Sequence, residues 1–133
     1  MSDLGHFHRR TGEFVTYKVI QWAIGTVGKD AIRGIIRHPD LEVVGAWVRS
    51  EEKNGRDVGE LCGMDPLGVT ATRDKDALLA LRADCVCFTP GRSWVQDPTE
   101  TFSELLTILR SGKNVANLWW PALIHPRAMP EAI

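Results

Sequence analysis

The fold is decided by residues 17–48, which read YKVIQWAIGTVGKDAIRGIIRHPDLEVVGAWV. The run from Lys18 to Ala23 is rich in β-forming residues and stops at a glycine, which predicts a first strand. From Val27 the apolar residues recur at helical spacing, and this helix must end before Pro39. The nearly continuous apolar run from Leu41 to Val48 predicts a second strand that helices cover on both faces.

The rest of the chain continues this alternation of strands and helices. After a loop from Ser50 to Asp65 with one helical turn at Val58 to Leu61, the sequence predicts strands from Gly68 to Ala71, from Cys85 to Phe88 and from Val115 to Leu118. Between the first two of these strands, Asp74 caps a helix that turns Ala77, Leu78 and Leu81 inward. Before the last strand, Asp97 caps a helix with Pro98 at its first position and Glu100 completing a capping box, and its inward residues are Phe102, Leu105, Leu106 and Leu109. Such alternation predicts an α/β fold with a Rossmann-type parallel sheet and helices on both faces.

Size and charge restrict the class of protein. At 133 residues and 44% apolar content, the chain is long enough for one compact domain. Sixteen basic and seventeen acidic residues leave almost no net charge, so we expect neither nucleic acid nor a membrane surface as a partner. No stretch approaches the roughly 20 apolar residues of a membrane-spanning helix, and the N-terminal residues do not resemble a signal peptide. These features predict a cytoplasmic protein.

Cysteine and histidine offer no convincing metal site. The three cysteines, Cys62, Cys85 and Cys87, lack the paired spacing of zinc ligands, and their odd number argues against a disulfide framework. We expect free, buried thiols. His6 and His8 could chelate a metal, but they lie in a polar extension with no further ligands nearby, so we expect them to be solvated.

The segment from Ala23 to Gly28, AIGTVG, follows a predicted strand and opens a helix, which is the position of a dinucleotide-binding fingerprint. Gly25 would let the backbone approach a pyrophosphate, and Gly28 would let the helix pack closely on the strand. The free N–H groups near Thr26 and Val27 would face the anion. The first glycine of the fingerprint is replaced by Ala23.

A glycine turn at this position has other interpretations. Any α/β domain needs small residues where a strand turns sharply into a helix, with or without a ligand. A P-loop is excluded because Lys29 is followed by Asp30 rather than by serine or threonine. A methyltransferase also places its cofactor over a glycine turn, but it would usually have an acidic residue at the end of the second strand.

The residues after the second strand bear on which coenzyme is bound. Arg49 and Ser50 follow this strand, about 20 residues beyond the turn, where an arginine favours the 2′-phosphate of NADP and a carboxylate favours NAD. The sequence therefore predicts NADP in preference to NAD. The alternative interpretation is that Arg49 is a solvated residue at a strand end and contacts no coenzyme. A shift of the loop would bring Glu51 or Glu52 into this position instead.

Thr89, Pro90 and Gly91 follow the fourth predicted strand at its carboxyl end, where open α/β sheets bind their ligands. Thr89 would contact the nicotinamide or its ribose, or would only cap the strand. The residues leave these two interpretations open.

The stretch quoted above, together with GRDVGELCG (55–63), DCVCFTP (84–90) and GKNVANLWWPALIHP (112–126), resembles the N-terminal domain of dihydrodipicolinate reductase-like proteins, especially the branch that contains 2,4-diaminopentanoate dehydrogenase. The resemblance runs from Tyr17 to the last residue. It implies an NAD(P)-dependent oxidoreductase in which a Rossmann domain precedes an α+β domain that binds substrate and mediates homo-oligomerisation. Family members usually carry glycine at the place of Ala23.

The resemblance implies roles for individual residues. Gly25, Thr26, Val27 and Gly28 would hold the pyrophosphate, Arg49 and Ser50 the adenosine ribose region, and Thr89 and Pro90 the nicotinamide end. The small-molecule substrate would be an amine or imine, with hydride transfer to or from a C=N bond or an amino-acid-like group. No catalytic residue is identified in the chain.

We therefore expect a flexible extension over residues 1–16, a dinucleotide-binding domain over 17–120, and the start of a linker over 121–133. The chain ends where the resemblance places the α+β substrate domain, so it is expected to be truncated before that domain. The alternative is a noncatalytic remnant or a nucleotide-binding or interaction module. In that case the apolar residues Leu118, Trp119, Trp120 and Leu123 would contact a partner chain.

Overall fold

The computed structural model describes residues 15–118 of the chain. Within this part the strands are β1 (Tyr17–Trp22), β2 (Leu41–Trp47), β3 (Ala71–Thr72), β4 (Cys85–Phe88) and β5 (Asn114–Asn117). The helices are α1 (Thr26–Arg37), α2 (Val58–Leu61), α3 (Lys75–Ala80), α4 (Ser93–Gln96) and α5 (Pro98–Arg110). The predicted extension up to residue 14, both histidines within it, and the predicted linker lie outside the described residues.

The strands form one sheet in the order β3-β2-β1-β4-β5. Every neighbouring pair is parallel. The chain therefore winds outward from β1 in one direction, returns to the centre, and winds outward in the other direction. This order confirms the predicted Rossmann-type sheet.

The two faces of the sheet carry separate apolar cores. On one face Ile32 and Ile35 of α1 pack with Val19 and Val43 of the central strands. On the other face Leu105 and Ile108 of α5 pack against β1 and β4. Because both faces are covered, β2 carries a nearly continuous apolar run, as the sequence predicted. None of the helices within residues 15–118 is both long enough and apolar enough to cross a bilayer.

Two predicted helix starts are confirmed by their caps. The side chain of Asp74 accepts a hydrogen bond from the N–H of Ala77, and Asp97 accepts one from the N–H of Glu100, both at 3.0 Å. The hydrogen bond made by the backbone N–H of Asp97 differs from that of the predicted capping box. The N–H of Asp97 donates to the carbonyl of Ser93 at 2.8 Å, because the short helix α4, which was not predicted, ends directly before it.

The third strand was predicted three residues too early. It was expected from Gly68, but it begins at Ala71. Gly68 has a φ of +81°, and its N–H donates to Oδ1 of Asp57 at 2.8 Å, so it forms a turn instead of a strand. The fifth strand begins at Asn114, one residue earlier than expected, and leaves Leu118 72% exposed.

Several predicted inward residues lie at the surface. Leu78 is buried in α3, but Ala77 is exposed and Leu81 is 39% exposed, because α3 ends at Ala80 before a further turn can cover Leu81. In α5 the buried apolar residues are Leu105 and Ile108, whereas Leu109 is 45% exposed. The buried face of α5 therefore includes Ile108 in place of the predicted Leu109.

All three cysteines are free thiols, as predicted, and Cys62 is buried while the two cysteines of β4 are half-buried. Burial raises the pKa of each thiol above its usual value. A raised pKa keeps a cysteine protonated and weakly nucleophilic at neutral pH. These thiols therefore belong to the packing of the domain.

Candidate functional site

The carboxyl ends of β1 and β4 lie side by side, because the chain reverses its winding direction between these strands. This switch point is where open α/β sheets bind ligands. A pocket of about 450 Å³ opens there. One wall is the glycine turn, residues 25–28, and the other consists of Thr89, Gly91, Arg92 and Val95. The structure thus places five of the predicted site residues, Gly25 to Gly28 and Thr89, around one cavity.

The two glycines of the turn have different surroundings. Gly25 precedes α1 in an extended conformation, and a Cβ added there would meet no atom within 4 Å. A Cβ on Gly28 would lie 2.3 Å from the carbonyl oxygen of Ala23. Gly28 is therefore required for close packing of α1 on β1, whereas Gly25 leaves open space beside the pocket.

The N-terminus of α1 has no side-chain cap and no acidic residue in its first turn. The first N–H groups of a helix have no partner within the helix, and together with the helix dipole they attract an anion. In this chain those groups belong to residues that line the pocket. The pocket is therefore suited to a phosphate or another anion.

Ala23, which replaces the first glycine of the fingerprint, adopts a left-handed conformation with a φ of +74°. Residues with a Cβ rarely adopt such a conformation, because the Cβ lies too close to the backbone carbonyl. The turn is thus built for glycine at this position, and alanine occupies it at a cost in stability.

We expect Ala23→Gly to raise the free energy of unfolding by about 0.5–1 kcal/mol, since the relief of strain exceeds the extra freedom of glycine in the unfolded chain. Urea denaturation measures the change. Ala31→Gly, the same substitution inside α1, is the control and should lower stability by about 1 kcal/mol. A destabilised Ala23→Gly variant would show that the turn is not strained.

A buried polar network joins the ends of β1 and β4. Gln21 is fully buried, and its Nε2 donates to the carbonyl of Ala23 at 2.9 Å and to Oγ1 of Thr89 at 2.8 Å. Oγ1 of Thr89 lies 3.3 Å from the carbonyls of Trp22 and Ala23, so its hydroxyl donates to this pair. Thr89 therefore holds the strand ends together and also lines the pocket, while its contact with the coenzyme stays a prediction.

Arg49, Ser50 and Pro90 lie outside the lining of this pocket. Arg49 is exposed at the end of β2, where its Nη2 donates to Oγ of Ser93 at 2.6 Å and its guanidinium lies 5.6 Å from the ring centroid of Trp47. Ser50 is exposed in the loop that follows, and Pro90 is buried. The side chain of Arg49 thus reaches across the end of β1 from β2 to α4.

Glu51, the acidic alternative at the end of β2, is paired elsewhere. Its Oε2 lies 2.7 Å from Nη1 of Arg73. The hydrogen bond from Arg73 lowers the pKa of Glu51, and a second hydrogen bond from Asn54 acts in the same direction. Glu51 is therefore ionised and directed toward the loop before α3, while Arg49 remains beside Trp47 at the end of β2.

Sequence reasoning missed three residues of this region, Gln21, Arg92 and Val95, and it placed Gly91 at the strand end without a role of its own. Gly91, Arg92 and Val95 line the pocket because the chain turns back after β4, with Gly91 at a φ of +62°. The sequence TPGR after a predicted strand was a usable signal for this turn. Nothing in the sequence marked Gln21, since a glutamine within an apolar run does not reveal its partner.

The chain is similar in sequence and in fold to several known proteins. The chain is 37% identical to an amine dehydrogenase from Streptomyces virginiae over 114 residues, which are 84% of this chain and 31% of that protein. The structure of amine dehydrogenase from Mycobacterium smegmatis matches 87% of this chain and 35% of its own, with 23% identity and a TM-score of 0.66. GenD2 from gentamicin A biosynthesis, solved in complex with NAD, matches 77% of this chain and 27% of its own, with 18% identity and a TM-score of 0.56.

The chain thus spans about a third or less of the length of these proteins. A family model described as dihydrodipicolinate reductase, N-terminus, matches residues 19–94. This match begins within β1 and ends within α4, so it contains both walls of the pocket except Val95. The chain belongs to the family of dihydrodipicolinate reductase N-terminal domains.

Proposed function

We propose that this chain is the coenzyme-binding domain of an NAD(P)-dependent oxidoreductase. The observation that carries the proposal is the uncapped N-terminus of α1, which opens onto a pocket at the switch point of the sheet. The residues present fit a pyrophosphate there, because Gly25 leaves open space where a side chain would otherwise stand. The NAD complex of the structural neighbour GenD2 supports the same coenzyme class.

In this proposal residues 25–28 hold the pyrophosphate with their backbone N–H groups. Thr89 and Pro90 lie beside the nicotinamide end, and Arg49 and Ser50 lie beside the adenosine ribose. NADP is preferred over NAD, because Arg49 ends β2 while Glu51 is paired with Arg73. Arg49 would exchange its bond to Ser93 for the 2′-phosphate.

The bound coenzyme supplies the hydride, and this chain binds and orients it. We propose an amine or imine as the substrate of the whole protein, because an amine dehydrogenase and the dihydrodipicolinate reductase family are among its relatives. Substrate selection and oligomer formation would belong to a following domain. A cytoplasmic location is part of the same proposal.

The test is a titration of the chain with NADPH and NADH, followed by tryptophan emission, on the wild type and Gly25→Asp. Aspartate is a favourable N-cap residue, so the variant should be at least as stable as the wild type. Its carboxylate would occupy the anion site, so we expect both dissociation constants to rise at least about tenfold. The variant would thus bind both dinucleotides more weakly although its free energy of unfolding is not lowered.

Gly34→Asp is the matched control. Gly34 lies on the same helix, is exposed, and also has no atom within 4 Å of an added Cβ, but it lies two turns beyond the pocket. This variant should bind like the wild type. A folded wild-type chain that binds neither dinucleotide would refute the proposal and favour an interaction module, whereas tighter binding of NADH than of NADPH would refute the NADP preference alone.

A further inference from the structure

Arg92 is the only charged residue among the described residues that line the pocket at the glycine turn. It is exposed, it immediately precedes α4, and it lines the same pocket as the N-terminus of α1. An arginine and a helix N-terminus that line the same cavity favour the same kind of ligand, namely an anion.

The neighbouring cations at this edge of the sheet already have partners. Arg49 donates to Ser93, and Nζ of Lys53 donates to the carbonyl of Ile24 at 2.8 Å. Arg73 is paired with Glu51. Within residues 15–118, by contrast, no carboxylate forms an ion pair with Arg92. Arg92 is therefore a cation that lines the pocket without an ion-pair partner among residues 15–118.

The position of Arg92 is set by backbone hydrogen bonds. The N–H of Thr89 donates to the carbonyl of Trp22 at 3.1 Å, which ties the end of β4 to the end of β1. Gly91 then turns the chain with its positive φ, and the N–H of Ser93 donates to the carbonyl of Pro90 at 3.3 Å. The loop thus holds the backbone of Arg92 beside the glycine turn before any ligand binds.

We infer that Arg92 binds the pyrophosphate of the dinucleotide together with the glycine turn. This inference rests on the proposed function and adds a side-chain ligand to a site that the sequence assigned to backbone N–H groups alone. The planar guanidinium matches a pair of phosphate oxygens, and its contact with the pyrophosphate is independent of whether a 2′-phosphate is present.

The test measures dissociation constants of NADH, NADPH and ADP-ribose for wild type and Arg92→Ala. ADP-ribose keeps the pyrophosphate and lacks the nicotinamide. We expect all three constants to rise by the same factor, about tenfold, because each ligand loses one charge-assisted interaction. The factor should shrink as potassium chloride is raised, since the contact is partly exposed. Arg92→Lys keeps the charge and should recover part of the affinity.

Arg82→Ala is the control for a lost positive charge. Arg82 is exposed and precedes β4, so it lies near the amino ends of the strands, whereas the pocket lies at their carboxyl ends. Its loss should leave binding unchanged. Equal binding by Arg92→Ala and Arg82→Ala would overturn the inference while the proposed function stands. A loss confined to NADPH would assign Arg92 to the 2′-phosphate, and unchanged binding of ADP-ribose would assign it to the nicotinamide end. Either result overturns the inference, and a folded wild type that binds none of the ligands overturns both proposals.

Discussion

Gly28→Ala is expected to lower the free energy of unfolding by about 3 kcal/mol, the upper range for overpacking in a close-packed interior. The added Cβ would lie 2.3 Å from the carbonyl oxygen of Ala23 and 3.2 Å from Nε2 of Gln21. The first of these neighbours is backbone, and the second is held by two hydrogen bonds, so neither can move without cost. Helix α1 must therefore shift away from β1.

Urea denaturation followed by circular dichroism measures this loss. Gly34→Ala is the matched control, because it is the same substitution on the same helix with no atom within 4 Å of the new Cβ. It should stabilise α1 by about 1 kcal/mol through helix propensity. If Gly28→Ala proved as stable as the wild type, the contact between α1 and the end of β1 would be looser than the structure describes.

Gln21→Ala should also cost about 3 kcal/mol, for a different reason. The substitution leaves a cavity beneath the switch point and removes the donor for the carbonyl of Ala23 and for Oγ1 of Thr89. Gln21 is fully buried, so water cannot easily replace its amide. The ends of β1 and β4 would lose a link on which the shape of the pocket depends.

A second substitution separates the polar part of this effect from the packing part. Gln21→Leu fills most of the space but donates no hydrogen bond, so we expect a loss of about 2 kcal/mol. Gln96→Ala removes an exposed glutamine at the end of α4 and should change stability by less than about 0.5 kcal/mol. A Gln21→Leu variant as stable as the wild type would mean that the buried amide contributes no net stability.

The elements predicted best are those whose signals are local. The strand from Cys85 to Phe88 and the turn from Val58 to Leu61 were predicted with the observed bounds. The caps at Asp74 and Asp97 were found because an N-cap bonds to backbone three residues away. The third strand was misplaced because Gly68 bonds to Asp57, eleven residues earlier, and no local pattern reveals that contact.

The same distinction applies to the candidate site. The spacing of apolar residues and glycines between Tyr17 and Val48 was sufficient to predict a strand, a glycine turn, a helix and a parallel sheet, because periodicity and turn geometry act over a few residues. The sequence could not show that Gln21 bonds to Thr89, 68 residues away, or that Arg49 reaches Ser93, 44 residues away. Those contacts exist because the order β2-β1-β4 brings three strand ends together. The position of Arg92 beside the glycine turn has the same cause, since chain segments that are distant in sequence meet only when the sheet has formed.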